Sequence, residues 1–256
     1  MDPWEALALL GAGLVAGAIN AVVGSGTLVT FPTLLAFGYA PVLANVTNNI
    51  GVLPGSVTGA WAYRRELAGQ RARVLRLAGA SLTGGVVGAI ALLELPESAF
   101  DAIVPVLILL ACVLVILQPR LSRMVARRRS AAAQRPADEH GGAAAVVAVG
   151  LCGVYGGYFG AAQGVLLMAF LGILVDEQLQ RLNAVKNVLA GLVNLVAAVV
   201  FVAVSDVAWG AAAAIAVGST IGGQVGGTYG RRLPPAALRA FIVVVGGAAA
   251  VRLLLT

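Results

Sequence analysis

The sequence predicts an all-α polytopic membrane protein built from two homologous four-segment halves. Three observations lead there. The 256 residues are 60% hydrophobic and 11% charged, with a mean hydropathy of +0.94, which is more apolar surface than a soluble domain of this length hides. Apolar runs of about 20 residues, enough to cross roughly 30 Å of hydrocarbon, recur along the chain. The chain also repeats itself at a fixed offset. Gly26 and Gly164 are 138 residues apart (164 − 26 = 138), and the same offset pairs Asn45 with Asn183, Asn49 with Asn187, Ser81 with Ser219, Gly84 with Gly222, Gly85 with Gly223, Gly88 with Gly226 and Pro96 with Pro234.

The apolar segments fall near 5–37, 42–63, 72–93, 100–118, 143–175, 180–204, 206–230 and 236–255. They are continuous rather than alternating. Lipid cannot satisfy a bare backbone, so they read as helices and not as strands of a barrel. The chain opens Met1-Asp2-Pro3-Trp4-Glu5, without a basic leader, so no cleavable signal peptide is expected. Segment 5–37 is too long for one plain span and is interrupted at Gly24-Ser25-Gly26. Segment 42–63 carries Asn45-Val46-Thr47-Asn48-Asn49. Segment 72–93 carries Gly84-Gly85-Val86-Val87-Gly88, whose small residues form a helix-packing surface. Residues 119–142 are the one long hydrophilic connector, holding Arg120, Arg123, Arg127, Arg128, Arg129 and Arg135, then Asp138, Glu139 and His140. They read as a flexible basic linker at the cytoplasmic side, between a first repeat 1–118 and a second repeat 143–256. The second repeat opens with 143–175, again overlong and interrupted around Gly156 to Gly164.

Loop charges set the topology. Arg64, Arg65, Arg71, Arg73 and Arg76 put loop 64–76 inside, with the connector, and the acidic loop with Glu94, Glu97 and Asp101 falls outside. Loop 231–239, with Arg231, Arg232 and Arg239, also belongs inside. Three apolar segments separate residues 142 and 231, and two inside loops need an even number of crossings. Segment 143–175 is therefore expected to enter and leave on one face, and 5–37 likewise. Each half then has a re-entrant hairpin and three spans, and the halves are inverted. Eight plain spans in parallel repeats is the simpler alternative.

The positions that could carry chemistry sit at the matched interruptions. Glycine lets a backbone leave the helix, and the helix that restarts presents free N–H groups and a partial positive charge, a way to hold an anion inside a membrane. Gly24, Ser25, Gly26 and Thr27 form one such break, Gln163 and Gly164 the other. On the following helices, Asn45 and Asn49, and Asn183 and Asn187, share a face at a spacing of four. Their amides either bond the freed backbone or present donors to a substrate. Lys186 is the one lysine of the chain and replaces Asn48 of the first half. Its charge either binds an anion, snorkels to the headgroups, or pairs with Asp176 or Glu177.

Cys112 and Cys152 lie in separate apolar segments and read as buried hydrophobes. No carboxylate sits deep in a span, and no phosphate loop, metal-ligand cluster or nucleophile–base arrangement is present. These absences argue against an enzyme, a cofactor and ATP hydrolysis. The net charge of +6 comes from arginines beside spans, not from a nucleic-acid patch.

The run Gly24-Ser25-Gly26-Thr27-Leu28-Val29-Thr30-Phe31-Pro32, the helix start Ala44-Asn45-Val46-Thr47-Asn48 and their repeat over 153–187 resemble the TauE/SafE family of membrane permeases, over essentially the whole chain. In the second half Ala161-Ala162-Gln163 stands where that family has a glycine cluster and a proline. The resemblance implies transport of small sulfur-containing anions such as sulfite, sulfonates or sulfoacetate across a bacterial-type inner membrane. The sequence is thus read as a secondary transporter working by alternating access at a midplane site between the repeats. An anion channel of the same architecture and a non-transporting membrane scaffold are the rival readings. The expected partners are the small anion, a coupling proton or ion, and the lipid bilayer, with monomer and homodimer both open.

Overall fold

The computed structural model describes residues 1–132, 142–230 and 235–255. Among them are ten α-helices and no strand. Helix α1 (Pro3–Val22) starts at the Asp2 side chain, which accepts the Glu5 N–H at 2.7 Å, with proline in its first turn. It ends where Gly24 takes φ +86°, a left-handed turn that glycine adopts without strain. The chain then reverses, because Gly26 packs against Ala16: a Cβ there would lie 2.2 Å from the Ala16 carbonyl oxygen. Helix α2 (Thr27–Ala36) runs back beside α1. The Tyr39 hydroxyl donates to the Glu5 carboxylate at 2.6 Å and closes the hairpin at the level where it began.

Three long helices follow, α3 (Pro41–Ala62), α4 (Arg71–Glu94) and α5 (Glu97–Ala132). The last corrects an expectation. The chain does not loosen at residue 119; it stays helical through Pro119 to Ala132, over a stretch rich in Arg, Ala, Leu and Met, all good helix formers. Residues 133–141 lie outside the described residues. The second half repeats the order with α6 (Gly142–Tyr158), α7 (Gln163–Leu174), α8 (Leu179–Val204), α9 (Trp209–Tyr229) and α10 (Pro235–Leu255). Three of its helices begin 138 residues after their counterparts (179 − 41, 209 − 71, 235 − 97).

Five helices (α1, α4, α5, α8 and α10) are long and apolar enough to cross a membrane. Helices α3 and α9 have spanning lengths of 22 and 21 residues, but asparagine, serine, threonine and glycine dilute their hydropathy. Packing is exchanged between the halves: α1 lies along α9, and α6 lies along α4. Glycine makes both approaches possible. A Cβ on Gly218 or Gly222 would sit 2.0 Å from the Leu10 or Leu14 carbonyl oxygen, and one on Gly84 or Gly88 would sit 2.2 or 2.1 Å from the Gly150 or Val154 carbonyl oxygen.

Side-chain contacts fix which ends share a face. Arg73, at the start of α4, bonds Glu177, between α7 and α8, at 3.0 Å, and Arg181 bonds Glu177 at 3.0 Å. The Gln70 amide donates to the Arg181 carbonyl at 3.1 Å. Burial works to raise the Glu177 carboxyl, but the bonds from Arg73, the Gln178 N–H and Arg181 outweigh it and hold the group below its ordinary value. Ala145, near the start of α6, belongs to one buried cluster with Leu77 of α4, Leu171 of α7 and Val175. On the opposite face the Met1 side chain reaches Gly210, and the Ala208 N–H donates to Thr47 Oγ1 at 3.2 Å. Helices α3, α4, α5, α8, α9 and α10 run between the two faces. Each half begins with a hairpin that returns to the face it left.

Candidate functional site

The two hairpin tips meet in the middle of the bundle. The Gly164 N–H donates to the Gly24 carbonyl at 3.0 Å, and a Cβ on either residue would lie 2.5 Å from the other's Cα. The second break uses Gly160 at φ +79° and Ala162 at φ +60°, the one described non-glycine residue in the left-handed region. The departure at Ala161-Ala162-Gln163 therefore changes the local backbone chemistry and leaves the break in place.

Breaking α1 at Val22 frees the carbonyls of its last turn, and helix α8 supplies their partners. Lys186 Nζ donates to Asn20 O at 3.0 Å and Ala21 O at 3.5 Å. The Asn183 and Asn187 amides donate to Ala21 O at 3.1 and 3.3 Å. A helix C-terminus carries partial negative charge, so a cation is well placed there. Lys186 is 1% exposed and neither snorkels nor pairs with Asp176 or Glu177; Glu177 is held by the two arginines. In the first half Asn45 donates to Tyr158 O at 2.9 Å, capping α6 in the same way. Asn48, where the second half has Lys186, accepts from the Thr30 hydroxyl and donates to Thr27 Oγ1 at 3.4 Å.

Beside the tips lies a cavity of about 30 Å³, lined by Asn20, Thr27, Ser56, Gln163, Lys186, Asn187, Asn194 and glycines that include Gly24 and Gly164. Its volume is that of roughly one water. No carboxylate lines it. Gln163 Nε2 is buried without a hydrogen-bond partner among the described residues, so at least one donor here is free. Ser56 Oγ accepts from Asn194 Nδ2 at 3.1 Å. These two residues are themselves 138 apart (194 − 56).

The sequence-predicted residues divide accordingly. Gly24, Thr27, Gln163, Gly164, Lys186 and Asn187 reach the cavity. Ser25 and Gly26 lie in the adjacent turn; the Gly26 N–H is taken by Asn20 Oδ1 at 2.7 Å, and Ser25 Oγ is buried without a partner among the described residues. Asn45 and Asn49 lie off the cavity, Asn49 with its Oδ1 unpartnered among the described residues. Asn183 lines a different pocket, of about 150 Å³, with Val22, Gln118 and Gln180. The N–H groups of Gly26 and Gly164, expected to point at a ligand, both bond protein acceptors here. Asn20, Ser56 and Asn194 were missed. The offset of 138 links the last two and could have found them, but their types differ between the halves.

The sequence pattern of the sulfite exporter TauE/SafE family matches residues 9–253. The chain belongs to this family. It is 25% identical over 242 residues to the probable membrane transporter protein YfcA of Escherichia coli (strain K12), covering 94% of this chain and 86% of that protein. It is 27% identical over 247 residues to the probable membrane transporter protein ORF9 of a Sinorhizobium species, covering 95% and 90%. A probable membrane transporter protein of Haemophilus influenzae is 23% identical over 219 residues, covering 84% and 80%. No solved structure matches the chain. As a TauE/SafE protein with these helices, the chain is a multi-pass inner-membrane transporter of bacterial type and not an enzyme.

Proposed function

We propose that this TauE/SafE transporter carries a small sulfur-containing anion, such as sulfite or a sulfonate, by alternating access at the cavity where the hairpin tips meet. The observation that carries this reading is Lys186, a buried lysine at a polar cavity with amide groups of Gln163, Asn187 and Asn194 and no carboxylate among the described lining residues. Such a set, with a lysine and no carboxylate, favours an anion over a cation. The exchanged packing of α1 on α9 and α6 on α4, with Ser56 and Asn194 bonded to each other, supports two inverted halves, 1–118 and 143–256, that rock about this point. A cavity of about 30 Å³ is too small for sulfite, so this conformation is read as a closed one.

The test is binding of sulfite and methanesulfonate to purified protein, scored by thermal shift. Both are expected to raise the melting temperature. Lys186→Gln keeps a donor and loses the charge, and is expected to weaken binding at least tenfold; Lys186→Arg keeps the charge and is expected to retain part of it. Wild-type affinity in the Gln variant would overturn the assignment.

A further inference from the structure

Main chain packs on main chain between helices of different halves. Helix α9, of the second half, lies against α1 and α3, of the first. A Cβ on Gly17 would sit 2.3 Å from the Ser219 carbonyl oxygen, and one on Gly223 would sit 2.2 Å from that of Gly55. Ser219 Oγ donates to Gly51 O at 2.7 Å, and Thr58 Oγ1 to Thr220 O at 2.9 Å. Helix α4, of the first half, lies the same way against α6 and α8, of the second. A Cβ on Gly157 would sit 2.2 Å from the Gly85 carbonyl oxygen, and one on Gly85 would sit 3.3 Å from Val193 Cα. Ser81 Oγ donates to Leu189 O at 3.0 Å. A helix seated backbone to backbone cannot turn or tilt without a clash, which ties each trio into one body.

Between the trios the contacts are of another kind. Helices α3 and α8 meet at Gly191, where a Cβ would touch only Ser56 Cβ, at an ordinary 3.6 Å, and at the bond from Asn194 to Ser56. The close contact of Gly24 with Gly164 lies at the same cavity, at the centre, where a pivot moves least. Two groups of hydrogen bonds flank this point. Toward the arginine-bearing face, Asn183, Lys186 and Asn187 of α8 hold the end of α1. Toward the opposite face, Asn45 of α3 holds the Tyr158 carbonyl at the end of α6. Asn45 and Asn183 are 138 residues apart, as are Ser56 and Asn194. Such bonds can be exchanged for bonds to water, which backbone contacts cannot.

We propose that the bodies that rock are these two trios, α1 with α3 and α9, and α6 with α8 and α4, pivoting at Ser56 and Asn194, and that the bond from Asn45 to Tyr158 is the latch of the opposite face. The inference rests on the alternating access proposed above and exchanges α4 for α9 in its moving halves. Asn45 is then a positioning residue. It lies off the cavity, and breaking its bond parts α3 from α6 without touching Lys186. A tether between α3 and α9 bridges the two halves of the chain without bridging the two bodies.

Disulfide tethers test this in proteoliposomes, with Cys112 and Cys152 replaced by alanine and uptake of radiolabelled methanesulfonate as the readout. Oxidised Thr58→Cys/Thr220→Cys joins α3 to α9 inside one trio and is expected to keep the uptake of the reduced protein. Oxidised Asn45→Cys/Tyr158→Cys joins the trios and is expected to abolish uptake, with recovery on reduction. Loss of uptake on the first tether would mean that the contiguous halves move, and full uptake through the second would mean that this latch does not open; either result overturns the proposal. Spin-label pairs give a readout that needs no substrate. In Asn45→Leu the distance from Ala40 to Val204, across the trios, is expected to lengthen, while that from Trp61 to Trp209, inside one trio, stays as in wild type; all four positions are exposed. A change in both distances, or in neither, overturns it. Absence of uptake by the reduced protein, with both distances behaving as expected, identifies sulfonate transport as the reading that failed.

Discussion

Gly24→Ala is the sharpest test of the crossing at the centre of the bundle. Two costs can be worked out. At φ +86° a side chain other than glycine is strained by about 1–2 kcal/mol. The new Cβ would also lie 2.5 Å from Gly164 Cα and 2.9 Å from Gly164 C, where ordinary contact begins at 3.4 Å. Both obstacles are main chain, so one hairpin tip must retreat by about 1 Å, which breaks the buried bond from the Gly164 N–H to the Gly24 carbonyl. Leaving that pair unsatisfied costs a further 1–3 kcal/mol or so. The sum is about 2–5 kcal/mol. At about 2–4 °C per kcal/mol for a chain of this size, the melting temperature should fall by on the order of 10 °C. Gly11→Ala is the matched control: its Cβ meets nothing within 4 Å inside α1, so it should be neutral or stabilising by up to about 1 kcal/mol. Thermal melts by size-exclusion fluorescence measure both. A Gly24→Ala protein that melts within about 2 °C of wild type would mean that the tips do not cross at Gly24 and Gly164.

Three further outcomes are expected. Asn45→Leu removes a bond to the Tyr158 carbonyl away from the cavity, so it should lower stability by about 1–2 kcal/mol and spare anion affinity, whereas Asn187→Leu should lower both; equal effects on affinity would refute the division. Glu177 is held below its ordinary value of 4.5, so its stabilising bonds are fully present above pH 4.5 and are lost as the pH falls through the lowered value. Melting followed downward from pH 6 should show this loss in wild type and lack it in Glu177→Gln. For sidedness, Trp209→Cys is expected to react with an impermeant thiol reagent outside intact cells and Tyr229→Cys to stay unreacted; the reverse pattern would invert the assignment made from the arginines.

Legibility differed by physical cause. The helices of each half were readable because apolar runs and glycine breaks are local signals, and the return of Tyr39 to Glu5 agrees with a first hairpin of the kind the arithmetic of inside loops suggested. The extension of α5 past residue 118 was not readable, since a polar run of good helix formers looks the same in a linker as in a helix leaving the bundle. At the site, Lys186 stood out as a lone cation in an apolar segment, but its partners did not. They are main-chain carbonyls of a helix distant in sequence, and a carbonyl has no letter of its own. The asparagine pairs looked alike in sequence, yet Asn187 faces the cavity while Asn49 does not, because only the α1 tip crosses to α8 in a way that brings Asn20 and Ala21 there.

The same crossing makes the two faces unequal. On the arginine-bearing face a pocket of about 150 Å³ reaches Val22 and Asn183, and Asn20 and Ala21 line the central cavity. The last turn of α1 borders both spaces. On the opposite face the place related by the offset, around Asn45, is filled by edge-on aromatic pairs: Phe31 with Phe159 at 5.3 Å, and Phe100 with Tyr158 at 5.8 Å and with Phe159 at 6.4 Å. Under the proposed mechanism, opening toward the arginine face moves the last turn of α1, while opening the other way requires repacking a ring cluster. The turn is held by Lys186, Asn183 and Asn187 through two carbonyls. An anion that competes for the Lys186 ammonium draws it off Asn20 and Ala21, so binding and release of the barrier become one event. The charge-removing Lys186→Gln variant should then lose anion affinity and also leave the α1 tip more exposed without ligand, measurable as faster reaction of a cysteine placed at Val22. A tip as protected in that variant as in wild type would separate the two roles and confine Lys186 to binding.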